Sequence, residues 1–564
     1  MTELRKQWVE SDGLRLAAYV QGRADGPTVV LAHGYPDNHT VWDGVAELLG
    51  ERFRVVRYDV RGHGESAAPR GRAGYRMNHL VDDLAAVVRA VSPDQPVHLV
   101  GHDWGSIQAW AAVRDPAYWG LFASYTTMSG PDLAHISAWV RSSRRPGHLR
   151  RVLWQGLHSW YIGAFQTPVL PELVWRIRPL RARFGATYRD ARNGVQLYRA
   201  NMLAPQPTPE RTPVPVQQLA LTRDRFVTTA LVTAAEPWVE RLWRRDLALR
   251  HWAPRTHPAL IARMVGEFVD HVDGAPAPRT LARARVGSGE PPMTGQLTLV
   301  TGAGSGIGRA TALAFGEQGA DVLCVDIDLA AAESTAKELG ERGHAYRLDV
   351  ADGTAADALA ARVLDEHGVP DVVMANAGVA VHGGFLETSV EDWRRLLDVN
   401  LWGVIHTLRA FLPPLVDRGE GGQVVVTASA AGYLVDPSLP AYSTSKAGVL
   451  MLAQCLAGEL AHTGIGVHAI CPGLVHTNIT NTMRVAGVDA EEERVRQART
   501  TELYRRRGFG PEKVAAAVVA AIHDGRLVVP VTPEAKLGLV ATRFAPGATR
   551  ALGRWMDAQA SKRT

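Results

Sequence analysis

Residues 98–105 read His-Leu-Val-Gly-His-Asp-Trp-Gly. An apolar strand runs into a turn flanked by Gly101 and Gly105, with Asp103 at its tip and a helix to follow. That is the setting in which a nucleophile is held at the head of a helix at the edge of a parallel sheet. A second stretch, Thr-Gly-Ala-Gly-Ser-Gly-Ile-Gly at 301–308, reads as a dinucleotide-binding turn, and Tyr442 and Lys446 follow it at one-turn spacing. Each set stands in its own half, so two catalytic domains are expected.

The size agrees. A chain of 564 residues suits two large domains, and 46% hydrophobic with 21% charged residues is the composition of an ordinary folded protein. The three cysteines, Cys324, Cys455 and Cys471, form no CxxC pair and no disulfide framework. No early stretch pairs a basic start with an apolar run, and no apolar run reaches the ~18 residues of a membrane span. A reducing cytoplasm is the expected compartment. A net charge of +5 is modest for this length and does not itself point to nucleic acid.

Outward from Asp103, apolar strands at Val29–His33, Val55–Asp59 and His98–Gly101 alternate with helical segments, which predicts βαβ units and a mostly parallel sheet. Residues 132–215 break that rhythm. They are rich in Trp, Tyr, Arg and Pro and read as a helical cap, after which alternation resumes at Val216–Leu221. Residues 276–293 read as a linker. Strands then recur at Leu297–Val300, Val322–Val325, Val372–Ala375, Val424–Thr427 and Val467–Ile470. The expectation is α/β throughout: two doubly wound domains, at 1–275 and 294–564.

An aspartate at the tip of the first turn has a chemical reason. A serine attacking an alkyl carbon leaves an ether that is hard to hydrolyse, whereas a carboxylate leaves an ester that water opens at its carbonyl. An aspartate capping a buried helix is the plainer reading of that residue alone. Over residues 8–272 the pattern resembles the α/β-hydrolase superfamily, in particular its epoxide hydrolases. His33-Gly34-Tyr35-Pro36 is similar to the family's HGxP turn, and the resemblance implies an oxyanion hole from the backbone N–H groups of Tyr35 and Trp104. Asp59–Gly64 also matches and reads as scaffold. His251-Trp252 resembles the family's base site, with Arg250 where glycine is common; His257 is the rival. Asp224 is the preferred acid partner and Asp132 the alternative. Tyr161 and Tyr198 lie in cap segments that resemble those bearing the two lid tyrosines, whose phenols would support a leaving epoxide oxygen. A haloalkane dehalogenase-like reading and a silent substrate-capture module stay open as alternatives.

In the second half, Gly302, Ser305, Gly306, Ile307 and Gly308 form a turn where glycine lets backbone approach a pyrophosphate at a helix N-terminus. Asp326 ends the next strand, where a carboxylate binds ribose hydroxyls and repels a 2′-phosphate, so NAD is expected rather than NADP. A phenol is a poor base at neutral pH, and a neighbouring ammonium together with a cationic nicotinamide would favour its phenolate. Residues 294–530 resemble the short-chain dehydrogenase/reductase family. The resemblance implies that Tyr442 is the general acid/base, Lys446 tunes it and holds the ribose, Ser429 orients the substrate oxygen, and Asn400 supports a proton relay. It also assigns Asp349 and Val350 to the adenine, Asn376-Ala377-Gly378 to the cofactor wall, and Pro472, Gly473 and Thr477 to the carboxamide. The whole chain resembles actinobacterial two-domain hydrolase–dehydrogenase proteins, which implies lipid-like substrates. Self-association through the apolar helix at 447–461 is expected. Arg141, Arg144, Arg145, Arg150 and Arg151, between Trp139 and Trp154, with Arg543, Arg550, Arg554 and Trp555 near the C-terminus, suggest weak peripheral contact with anionic lipid, although a solvated face is the plainer reading.

Overall fold

A computed structural model describes residues 4–142, 146–287, 289–545 and 547. Arg144, Arg145, Arg550, Arg554 and Trp555 lie outside the described residues. The chain divides into two compact units, Met1–Ser288 and Gly289–Thr564.

The first unit is built on eight strands: β1 (Arg5–Ser11), β2 (Leu14–Gly22), β3 (Thr28–Ala32), β4 (Arg54–Tyr58), β5 (Val97–His102), β6 (Phe122–Met128), β7 (Val216–Leu221) and β8 (Leu242–Leu247). Their order is β1-β2-β4-β3-β5-β6-β7-β8. From β4 onward all pairs are parallel; β1 and β2 run antiparallel at the edge. That edge pair is missing from the sequence reading, because β2 is nearly continuous in apolar character and has no helix before it. β5 sits between β3 and β6 and is buried along its length, since helices cover both faces. One core holds the helices Met77–Val91 and Trp104–Arg114; the other holds Asp43–Leu49 and Pro258–Val272.

Between β6 and β7, among the described residues, six helices from Leu133 to Asn201 form the cap, within the stretch expected to break the strand rhythm. Its last helix, Tyr188–Asn201, buries Val195, Leu197 and Tyr198 into the same core as β3 and β5. The stretch read as a linker is folded in its first half. Arg279–Ala282 is helical, Leu281 is fully buried beside Trp243 and Phe268, and Val286 N donates to Leu242 O at 2.9 Å. One apolar side chain in a run of small and polar residues was too weak a signal to show this.

The second unit has a parallel sheet of β9 (Leu297–Thr301), β10 (Asp321–Asp326), β11 (Gly343–Arg347), β12 (Val372–Ala375), β14 (Gly422–Thr427), β15 (Ile465–Cys471) and β17 (Val528–Pro530), in the order β11-β10-β9-β12-β14-β15-β17. A small pair, β13 (Val381–His382) and β16 (Arg484–Val485), lies apart. The strand order reverses between β9 and β12, and ligands of open α/β sheets bind in the crevice at that switch point. Among the described residues, no helix is long and apolar enough to cross a membrane.

Candidate active sites

In the first unit Asp103 follows β5 with φ 52° and ψ −121°, a conformation that costs a non-glycine residue roughly 1–3 kcal/mol. The surrounding packing holds it there. A Cβ on Gly105 would stand 2.1 Å from Ala32 O, so only glycine lets the helix lie this close to β3. Asp103 is buried, and burial pushes its carboxyl up against the downward pull of His251 and of the Tyr35 and Trp104 amides. The Tyr35 N–H donates to Asp103 Oδ1 at 2.7 Å. Asp103 Oδ2 faces His251 Nε2 at 3.6 Å, too far for a hydrogen bond.

His251 Nδ1 lies 2.9 Å from Asp224 Oδ2. Burial opposes charge on this imidazole, but the carboxylates of Asp224, Asp103 and Asp37 outweigh it and push it up to about 9. Asp224 Oδ1 accepts from the Phe226 N–H at 2.8 Å, and Ser129 Oγ donates to Oδ2 at 2.7 Å. Burial raises this carboxyl, yet the charge of His251 and these donors bring it below its ordinary value. The two alternatives fall away. Asp132 caps the helix Leu133–Arg141 and pairs with Arg114 at 3.2 Å, and exposed His257 contacts Thr256 Oγ1 at 2.8 Å.

Tyr161 and Tyr198 come in from two cap helices, their rings 5.9 Å apart, with Tyr198 5.0 Å from Trp104 and 5.4 Å from Tyr35. Burial first, and then the charge of Asp103, raise both phenols well above the ordinary tyrosine value, so both keep their protons.

Several contributors escaped the sequence reading. Phe226 packs on His251 at 5.0 Å and on Tyr161 at 5.4 Å. His102 Nε2 meets His251 O at 2.8 Å, its imidazole pushed down to about 3 by burial and thus neutral, so that nitrogen donates. Asp37 accepts from Trp252 Nε1 at 3.0 Å and adds its charge to His251. Asp37 stands one residue past the His33–Pro36 turn and Phe226 two past Asp224, so proximity to those motifs was the available signal.

In the second unit a cavity of about 490 Å³ opens at the switch point. It is lined by Gly302, Ser305, Gly306 and Ile307 from the turn after β9 and by Asp326 from β10. Asp349 and Val350, Asn376, Ala377 and Gly378, and Pro472, Gly473 and Thr477 complete that side. Gly302 (φ 68°) takes a left-handed conformation that glycine adopts without strain. Gly308 stands behind these lining residues. A Cβ there would lie 2.0 Å from Gly302 O, so its task is to let the helix Gly306–Glu317 press on the turn.

Asp326 Oδ2 accepts from the Gly304 N–H at 2.8 Å, fixing the carboxylate against the turn, and Asp349 Oδ1 accepts from the Ala351 N–H at 3.0 Å. Tyr442 and Lys446 share one face of the helix Pro440–Glu459 and both line the cavity with Ser429. Lys446 Nζ donates to Thr427 O at 2.7 Å and lies 5.8 Å from the Tyr442 ring centroid. Burial pushes this ammonium down to about 8. Burial raises the Tyr442 phenol, and Ser429 pulls the other way. Asn400, buried in a π-helical turn, accepts from Val379 N at 2.8 Å and donates to Val379 O at 2.9 Å and Ser445 Oγ at 3.2 Å. Tyr504, which the sequence reading did not single out, closes the cavity from the helix Ala490–Arg507, its phenol pushed up to about 12 mainly by burial.

These residues fit a dinucleotide. The glycine turn offers backbone N–H groups at a helix N-terminus, the carboxylate waits at the strand end, and Lys446 spends one of its three donors on Thr427.

Comparison with known proteins agrees with both halves. Residues 27–191 match the alpha/beta hydrolase fold family and residues 296–486 the short chain dehydrogenase family. The chain is 40% identical to the Probable oxidoreductase EphD of Mycobacterium tuberculosis (strain ATCC 25618 / H37Rv), over 98% of this chain and 99% of that protein. Its second half is 34% identical to the meso-2,3-butanediol dehydrogenase of Serratia marcescens, over 41% of this chain and 88% of the relative. A crystal structure of a short chain dehydrogenase/reductase from Burkholderia phymatum in complex with NAD matches 44% of this chain and 93% of its own, at 31% identity and a TM-score of 0.40. The fold and the sites define a two-domain enzyme, a hydrolase fold followed by an oxidoreductase. The chain belongs to the same family as the mycobacterial protein, in which an alpha/beta hydrolase fold is joined to a short chain dehydrogenase.

Proposed function

We propose that the first unit hydrolyses epoxides to vicinal diols and that the second oxidises or reduces alcohols and ketones with NAD. The observation that carries the first half is the assembly of Asp103, His251 and Asp224 beneath two protonated phenols.

Asp103 Oδ2 attacks an epoxide carbon, forming a C–O bond as the ring C–O bond breaks. The oxygen that leaves takes a proton through Tyr161 and Tyr198. Esterification removes the charge of Asp103, one of the carboxylates holding His251 protonated, so the imidazole falls toward the range of a base. His251 then takes a proton from water as that water attacks Cγ. The negative oxygen formed at Cγ is the one already held by Tyr35 N. The bond from Cγ to the substrate's oxygen breaks, that oxygen takes the proton held by His251, the diol leaves, and the water's oxygen stays on Asp103. Two phenols in the cap support an epoxide over an alkyl halide, whose leaving ion needs no proton.

In the second unit NAD, when bound, accepts or returns a hydride. Tyr442 exchanges the substrate's hydroxyl proton, Ser429 orients that oxygen, and Lys446 holds the ribose. Asn400 ties the helix of Tyr442 to Val379 and supports a proton relay. Because burial raises the phenol, proton removal depends on positive charge arriving with the oxidised cofactor. The carboxylate of Asp326 would repel a 2′-phosphate. Exposed Trp402 and Met451 support self-association of this unit through the helices that carry them.

A diol is a secondary alcohol, and the Serratia relative is by name a dehydrogenase of a vicinal diol. The two reactions therefore run in series, from epoxide to diol to hydroxyketone. The test is NADH formation from an epoxide plus NAD. Wild type should give signal, while Asp103→Asn and Tyr442→Phe should give none. Signal in Asp103→Asn would break the series.

A further inference from the structure

The cap has a face that the hydrolase chemistry does not use. The helix Pro146–His158 is anchored on its inner side by buried Gln155, which donates to Phe226 O at 2.9 Å and accepts from Thr228 N at 3.1 Å and Thr228 Oγ1 at 2.7 Å. Its outer side is apolar. Leu149, Leu153 and Leu157 recur every fourth residue, and Trp160 continues the stripe into the helix Trp160–Gln166. Leu153 is 63% exposed, Leu157 69% and Trp160 72%, with Trp154 beside them. Scattered single apolar residues need no explanation, but a contiguous exposed stripe marks an interaction site.

The charges around it name the partner. Residues 133–171 contain five arginines and no acid, and Arg150 and Arg151 are exposed on the helix that carries the leucines. Leucine and tryptophan with an arginine rim suit the boundary between acyl chains and phosphate headgroups. A second copy of the same face would set arginine against arginine, which disfavours self-pairing. We propose that this face docks the protein on an anionic lipid bilayer. Trp160 and Tyr161 are adjacent on one short helix, one turned outward and the other packed on Tyr198 and Phe226. Docking therefore brings the cap of the hydrolase site to the surface where apolar substrates dissolve. The inference rests on the face alone and not on the reaction assigned beneath it.

Co-sedimentation of the full chain with vesicles of phosphatidylcholine, alone or mixed with phosphatidylglycerol, tests this. The protein should pellet with the mixed vesicles at low salt and be released at high salt. Leu153→Asp with Leu157→Asp should lower the partition coefficient at least about tenfold, the loss of two buried apolar side chains. Arg150→Gln with Arg151→Gln should lower it about fivefold per arginine. Both variants should keep the circular dichroism of the wild type. No pelleting with mixed vesicles, equal pelleting with neutral ones, or leucine variants that bind like wild type would overturn the proposal. So would a molar mass by light scattering that falls in the leucine variant, because the face would then join two copies of the chain.

Discussion

The two candidate sites treat buried charge in opposite ways. In the first unit the charged groups neutralise one another within the chain: His251 lies between the carboxylates of Asp224 and Asp103, and backbone N–H groups hold one oxygen of each acid. In the second unit a buried ammonium, Lys446, is pushed down to about 8, and a buried phenol, Tyr442, is raised. The first constellation thus balances its charges within the chain, whereas burial dominates both groups of the second. On the proposed reading, the first site is organised around an anion that would become an ester, and the second around a cavity that would take a charged cofactor.

The sharpest break of that comparison is a crossed pair of variants. Asp103→Asn should lower epoxide hydrolysis by about 10⁴-fold or more and leave NAD-linked turnover of an added alcohol unchanged. Tyr442→Phe should do the reverse, at about 10²–10⁴-fold. Loss of both activities in either variant would mean that the sites do not act independently. Smaller effects are expected in the cap. Tyr161→Phe and Tyr198→Phe should each slow ring opening about 10²-fold, measured as single-turnover ester formation, because each removes one donor to the leaving oxygen.

The smallest effect is a titration. In the resting enzyme His251 is held up to about 9 by neighbouring carboxylates. Removing one anion weakens the protonated form, so the imidazole of Asp103→Asn should titrate at lower pH than that of wild type, by NMR. The sign also sets the pH profile. Esterification removes the same charge, so ester hydrolysis should be lost as pH falls through the lowered value, not through 9. An imidazole that titrates identically in both proteins would contradict the coupling.

Much of this was legible in the sequence because the decisive residues sit in turns with local constraints. Asp103 lies between two glycines, and Gly302 and Gly306 open a helix directly after a strand. Lys446 follows Tyr442 by one helical turn. Such relations span a few residues. What was not legible depended on packing across long separations. Asp132 and Asp224 both follow strands, and only the structure shows one capping a helix while the other meets His251. Ser129 and Asp37 support the base from two separate loops, and His102 does so from the end of β5. Tyr504 reaches its cavity from 62 residues beyond Tyr442, with no motif to mark it. The rise of Tyr442 comes from burial, which outweighs the pull of Ser429 and which no motif marks.

The central claim is that a carboxylate forms the temporary bond in the first unit. Its most direct test is a single turnover of an epoxide in heavy-oxygen water, followed by mass spectrometry of the peptide bearing residue 103. The account predicts heavy oxygen in the Asp103 side chain and an unlabelled diol in that first turnover, with label reaching the diol only on later ones. A diol labelled at once, with Asp103 unlabelled, would show that water attacks the epoxide directly.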